Sequence, residues 1–270
     1  DPFQSAAFVK GVDGFVILSA TSEWDDLVRR AVEAGIYVFT YNVGPTTGAT
    51  MNIFKRPGGG TALGEAAAKW INDKHDGEAE FATLVLKTAP SLRDRSDAMR
   101  DAVLTNAPNA RLIAEITAPT RPDSVGAVAN LLRAHPSVKA IVCWNDETAL
   151  GGHAAATEAG RADPDEFWIG GFDGTQPALD RIAERGIYQA TISFFVKFSA
   201  VQLVRDMTKC LRGEKVPPTR EIAFQLVTTE NVEEHERLIA DPLASGVQYL
   251  YDEIIVYSDE PLTTAAGYRA

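Results

Sequence analysis

The feature that most constrains this chain is its rhythm: short apolar runs alternate with amphipathic stretches almost from end to end. GFVILSA (14–20) is a continuous apolar run and reads as a buried strand. SEWDDLVRRAVEAG follows, with Ser22 as N-cap, acids in the first turn and Gly35 as the stop, and then IYVFTYN (36–42) as the next strand. A Gly- and Thr-rich loop leads to the helix GGTALGEAAAKWIND. The cycle repeats with the strands FATLVLKT, RLIAEITA, KAIVCWN, FWIGGFD and YQATISF. The helices between and after them are SLRDRSDAMRDAVLTN, opened by Ser91 with Asp94 at the capping-box position, DSVGAVANLLRAHP, DETALGGHAAATEAG, TQPALDRIAERG and VKFSAVQLVRDMTKCLRGEK. Strict strand–helix alternation predicts an α/β fold of parallel sheets with helices on both faces.

TREIAFQLVTTEN reads as extended, and the tail 232–270 breaks the rhythm; within it VQYLYDEIIVYS reads as a strand or as an added helix. With 270 residues, 45% of them hydrophobic, the chain can build one large domain or two lobes. A net charge of −11 argues against a nucleic-acid surface in this segment. No run of 18 apolar residues occurs, so no transmembrane helix is expected. The chain opens on DPFQSAAFVKGVDG, which reads as the middle of a helix-to-strand unit, without a basic-then-apolar leader.

No catalytic constellation emerges. Gly58, Gly60 and Gly64 in RPGGGTALG imitate a dinucleotide fingerprint, but NIFKRP rather than a buried strand precedes them, so they read as a loop entering a close-packed helix. His75, His135, His153 and His235 lack metal-ligand spacing, and Cys143 and Cys210 read as isolated thiols. GxSxG and Walker A motifs are missing, so neither an enzyme nor a cofactor is expected.

The carboxyl ends of parallel strands, where open α/β sheets bind ligands, are more informative. In order they read Leu18–Ser19, Tyr41–Asn42, Thr88 to Arg95, Ala118 to Arg121, Trp144–Asn145–Asp146, Phe172–Asp173 and Phe194–Phe195. Asp and Asn can each bridge neighbouring hydroxyls, Arg offers a fork of donors, and an aromatic face covers the C–H side of a sugar ring. The mixture suits a polyhydroxylated ligand. Each residue also has a plainer role available: Asp173 as a turn residue, Asn145 as a helix cap, Arg95 in a pair with Asp94 or Asp97, Phe194 in the core.

The ordered set GVDGFVIL, AGIYVFTYN, LRDRSDAM, LLRAHPSVKAIVCWNDETALGG, IGGFDGT, YQATIS and LRGEKVPP resembles periplasmic sugar-binding proteins of the ribose-binding type, the solute receptors of ABC importers. The resemblance covers roughly residues 5–230. It implies two Rossmann-like lobes joined by three hinge crossovers, with the ligand in the cleft. The N-terminal lobe would comprise 1–54 and 195–223, and the C-terminal lobe 55–194 and 224–270, with a C-terminal extension. Against the family pattern, about 50 residues that hold a first β-α-β unit and an aromatic loop are expected ahead of this chain.

Residue by residue, Arg95 matches the family's ligand arginine, Asn145 the asparagine before Asp-Glu, and Phe172 and Asp173 the aromatic and carboxylate of GFDG. Departures are equally plain: the Asp-Arg pair that ends the fourth family strand reads Asn42–Val43 here, Pro119 stands where an aromatic is expected (with Arg121 close by), Phe194 replaces a glutamine, and Leu18 takes a place often polar. Asn42 and Phe194 complete the candidate ligand set, and the pocket is expected to be more apolar than a ribose site.

The resemblance implies binding of a sugar or polyol without chemistry, hinge closure with flexing near 54–56, 194–196 and 223–225, delivery to an ABC permease, a chemoreceptor as another docking partner, a monomer, and residence in the periplasm or as an extracytoplasmic lipoprotein. The alternative is the effector-binding domain of a lac-repressor-family regulator, which shares the fold. NDETALG and GFDGT favour the transport receptor.

Overall fold

The computed structural model describes residues 11–18, 24–41, 48–244 and 246–258. The chain divides into two compact units, one drawn from Asp1–Pro57, Phe195–Phe224 and Asp241–Ala270, the other from Gly58–Phe194 and Gln225–Ala240.

The second unit is built around a six-stranded sheet. Its elements in chain order are α2 (Gly59–His75), β4 (Glu80–Val85), α3 (Pro90–Asn106), β5 (Arg111–Thr117), α4 (Arg121–Ala134), β6 (Val138–Cys143), α5 (Asp146–Glu158), β7 (Trp168–Asp173), α6 (Gln176–Ala183), β8 (Tyr188–Ser193), β10 (Gln225–Thr228) and α8 (Val232–Ile239). Across the sheet the strands run β10-β8-β7-β6-β4-β5; β10 is antiparallel to β8 and the other neighbours are parallel. The central strands are the apolar runs of the sequence, and Phe81, Ala82, Leu84, Ile141, Val142 and Ile169 are fully buried. A parallel arrangement puts the carboxyl ends of β4, β5, β6, β7 and β8 along one edge.

The glycines of GGTALGE have a packing reason. A side chain on Gly60 would meet the Arg95 carbonyl at 2.8 Å, and one on Gly64 the Met99 carbonyl at 2.3 Å. They let α2 lie close against α3, and so fix the helix that carries Arg95. Expected caps shift in places. Ser91 is the second residue of α3 rather than its cap, because Pro90, with no N–H to lose and φ preset, takes the first helical position after Ala89. Thr120 and Asp123 form a reciprocal capping box on α4. Ser22 lies outside the described residues.

The first unit holds β1 (Gly14–Leu18), α1 (Asp25–Glu33), β2 (Tyr37–Tyr41), β3 (Met51–Lys55), α7 (Val196–Leu211), β9 (Thr219–Ile222), α9 (Gln248–Ile254) and β11 (Ile255–Ser258). Its sheet runs β1-β2-β3-β9-β11, parallel except for β11 against β9. Leu27, Val28 and Ala31 on α1 pack with Ile17 and Val38 beneath.

The tail corrects an expectation. VQYLYDEIIVYS is a helix followed by a strand, and the stretch from Asp241 belongs with the first unit, not with the second as the family pattern implied. The physical reason is an open strand edge and a buried charge. β11 closes the free side of β9, and the Tyr257 hydroxyl donates to Asp206 Oδ2 at 2.8 Å. That carboxylate is also paired at 3.0 Å with Arg220, whose side chain is fully buried. Besides passages at 57–58, 194–195 and 224–225, the chain therefore makes another at 240–241.

Candidate functional site

Five of the six sequence candidates, Arg95, Asn145, Phe172, Asp173 and Phe194, lie in the second unit. The sixth, Asn42, lies outside the described residues. Arg95 projects from the second turn of α3. Its Nη1 donates to the main-chain carbonyl of Trp144 at 3.0 Å, and its guanidinium carbon lies 3.9 Å from the centroid of the Phe172 ring. One cation thereby ties α3 to the loop after β6 and to the end of β7. Each contact is made one residue ahead of another candidate, Asn145 and Asp173 respectively. The pairing of Arg95 with Asp97 that sequence left open goes elsewhere: Asp97 binds Lys87 at 2.7 Å and Arg100 at 2.9 Å, and the Lys87 ammonium holds its pKa below the usual carboxylate range.

Asn145 is the N-cap of α5. Its Oδ1 accepts from the Thr148 N–H at 2.9 Å and from the Thr148 hydroxyl at 3.0 Å. The cap occupies the oxygen and leaves the amide Nδ2, a two-proton donor, without a hydrogen bond among the described residues. The cap reading and the ligand reading thus use different ends of one side chain.

The aromatics differ from expectation. Phe172 is 3% exposed and Phe194 1%. Their rings lie 5.3 Å apart at 45°, and the Gly59 position, where a side chain would come within 3.0 Å of Phe172, closes another side. Both act from beneath: Phe172 offers its ring to Arg95, and Phe194 braces Phe172. A bare aromatic at the end of an apolar strand is drawn into the core unless a polar atom holds it out, and Phe has none. Phe195, the next residue, takes φ of 49° as the chain leaves for α7.

Asp173 ends β7 with φ of 122°, a region that residues with a Cβ avoid. Gly174 follows with φ of 69°, its N–H donating to Thr191 Oγ1 at 3.2 Å.

Sequence reading placed Asp146 at a strand end but gave it no role. The structure makes it the hub beside the candidate residues. It is fully buried, and its two oxygens accept hydrogen bonds from four donors: the Tyr188 hydroxyl (2.9 Å), the Thr191 hydroxyl (2.6 Å), and the N–H (2.7 Å) and hydroxyl (3.0 Å) of Thr175. Burial pushes its pKa up to about 6, with the Asp173 charge adding to the rise. The signal was in the motif: a side chain on Gly171 would lie 2.4 Å from Asp146 Oδ1 and 2.2 Å from the Tyr188 hydroxyl, so the second glycine of IGGFDGT makes room for the aspartate of WNDETALG. Arg121, noted beside Pro119, pairs with Glu147 at 2.9 Å on an exposed face.

Among the described residues, no group of His, Cys, Asp and Glu is placed to hold a metal ion, and no helix is long and apolar enough to cross a membrane. Cys143 is buried, and burial drives its thiol pKa up, away from reactivity. The arrangement offers a fixed guanidinium, an amide donor and a carboxylate along one sheet edge, which is equipment for holding hydroxyls.

The model of a periplasmic binding protein domain matches residues 4–215. This chain belongs to that family. As a periplasmic binding protein domain it is 28% identical over 205 residues to the ribose import binding protein of Escherichia coli, covering 75% of this chain and 67% of that protein. It is 27% identical over 233 residues to the D-apiose import binding protein of Paraburkholderia graminis, covering 83% and 72%. The match spans about two thirds of the length of the ribose import relatives, 67% in Escherichia coli and 66% in Salmonella typhimurium.

Solved structures of the same fold include an ABC transporter solute-binding protein from Actinobacillus succinogenes with bound D-allose, at a TM-score of 0.73 and 19% identity over 86% of this chain and 84% of that one. Another, from Bacillus halodurans with bound myo-inositol, has a TM-score of 0.73 and 23% identity over 87% and 80%. At these identities the likeness is one of fold.

Proposed function

We propose that this chain binds a sugar or polyol at the carboxyl edge of the second unit's sheet and delivers it to the permease of an ABC importer, outside the cytoplasm, without transforming it. The observation that carries the reading is the convergence on one sheet edge of Arg95, Asn145 and the Phe172–Asp173 step, in a chain of the periplasmic binding protein family. In this reading Arg95 and the Asn145 amide donate to ligand oxygens, and Asp173 accepts from two neighbouring hydroxyls. Phe172 and Phe194 shape and stiffen the floor. The mechanism is the family's hinge closure: contacts completed only in the closed form favour that form. The relatives' ligands, ribose and D-apiose, support a small hydroxylated guest.

The test is a thermal-shift and calorimetric screen of the chain against D-ribose, D-apiose, D-allose, allitol and myo-inositol. Asp173→Ala and Arg95→Ala should each weaken the best hit by about ten- to hundred-fold, the loss of one charge-assisted hydrogen bond. Binding that survives both changes would place the ligand elsewhere.

A further inference from the structure

The residues of the sugar reading do not explain why a carboxylate is buried beside them. Asp146 has no Lys or Arg partner among the described residues and is instead surrounded by four neutral donors. A buried carboxylate is costly unless its hydrogen bonds secure something. Two of the donors belong to Thr175, two residues after Asp173. A third, the Thr191 hydroxyl, accepts in turn from the N–H of Gly174, the residue between them. Both residues that follow Asp173 are therefore tied to one carboxylate, Thr175 directly and Gly174 through Thr191. The turn is also pressed onto β8, since a side chain on Gly174 would lie 2.5 Å from the Ser193 Cβ. Upstream, Gly171 is bare beneath the same carboxylate. The φ of 122° at Asp173 is a shape the backbone does not hold unaided.

We propose that Asp146 is the positioning residue for Asp173: it clamps the turn Asp173–Gly174–Thr175 in the strained shape from which Asp173 meets the ligand. This rests on the reading of Asp173 as a ligand residue. The clamp connects the two strongest motifs of the sequence, since the aspartate of WNDETALG holds the turn of GFDGT. The ionisable groups facing Asp146 are Asp173 from β7, Tyr188 from β8 and Cys143 from β6. None of them is a cation, so the hold comes from the four hydrogen bonds.

Three variants of the full chain test this, with amide hydrogen exchange and titration calorimetry as readouts and D-ribose, D-allose, allitol and myo-inositol as probes. Asp146→Ala should speed exchange at the amides of Gly174 and Thr175 and weaken the tightest probe by about ten-fold or more. Asp146→Asn should restore both, because its oxygen can serve Thr175 while its amide donates to the hydroxyls of Tyr188 and Thr191, which can turn to accept. Leu132→Ala, a core truncation in α4, should lower the thermal midpoint without weakening the probe. Looser amides with undiminished affinity in Asp146→Ala overturn the proposal, and so does an equal loss of affinity in Leu132→Ala. If the wild-type chain binds no probe, the sugar reading fails instead, and exchange alone judges the clamp: unchanged protection at Gly174 and Thr175 in Asp146→Ala overturns it.

Discussion

The guanidinium of Arg95 lies over the ring of Phe172, 3.9 Å from its centroid, while its Nη1 holds the Trp144 carbonyl at 3.0 Å. A flexible side chain is thus fixed before any ligand arrives, which lowers the entropy that binding must overcome. In the proposed sugar reading, the aromatic of GFDG would act on the ligand through the cation above it.

Phe172→Leu keeps an apolar filler but removes the π face, so it should weaken ligand binding through Arg95. In a double-mutant cycle with Arg95→Lys, the coupling energy should be about 0.5–2 kcal/mol. Calorimetry on the four proteins gives the number, and strict additivity would mean that the ring does not orient the cation.

Asp146 gives the fold a pH signature. Its folded pKa is raised from the ordinary 3.8 to about 6, mainly by burial. Between those values the folded state holds the proton more tightly than the unfolded state. Stability from this group is therefore fully present below the ordinary aspartate pKa and is lost as pH rises through about 6. The change is of order 2–3 kcal/mol. Asp146→Asn lacks this titration, so its thermal midpoint minus that of wild type should rise from pH 4 to pH 7. A difference that stays flat across that range would show the carboxylate to be charged throughout.

Helix packing predicts opposite outcomes for two glycines, one in the α2–α3 contact and one on an open position of α4. Gly64→Ala drives a methyl to 2.3 Å from the Met99 carbonyl and should cost about 1–3 kcal/mol. Gly126→Ala, inside α4 with no atom within 4 Å, should stabilise by about 0.5–1 kcal/mol. Urea titration of both proteins, read at the midpoint, checks the signs.

The tail should matter to the first unit's stability. Asp206→Ala would leave the buried Arg220 without its counter-ion and should cost about 3–5 kcal/mol. Tyr257→Phe removes one hydroxyl from the same carboxylate and should cost about 1–2 kcal/mol. Chemical unfolding monitored by tryptophan fluorescence separates the two, and a silent Tyr257→Phe would mean that β11 is held by its strand pairing alone.

Much of the fold was legible because its signals are local. A buried parallel strand must be apolar along its whole length, and a surface helix must be apolar every three to four residues, so the alternation of the two gave the element order before any contact was known. The rule that ligands gather at the carboxyl ends of parallel strands then singled out Arg95, Asn145 and Asp173, which the fold does bring to one edge of one sheet. The tail was not legible, since β11 is specified by the open side of β9 and by the Asp206–Arg220 pair far upstream, not by its own few residues.

The sequence by itself determined the alternating elements, the parallel architecture and which polar and aromatic residues stand at the strand ends. Only the tertiary structure decided their division of labour: Phe172 and Phe194 sink beneath Arg95, Asn145 uses its oxygen as a cap, and Asp146 gathers four donors from separate segments. Periodicity and propensity belong to neighbouring residues and can be read along the chain. Burial and hydrogen-bond partners are set by segments that meet only when the sheet has formed.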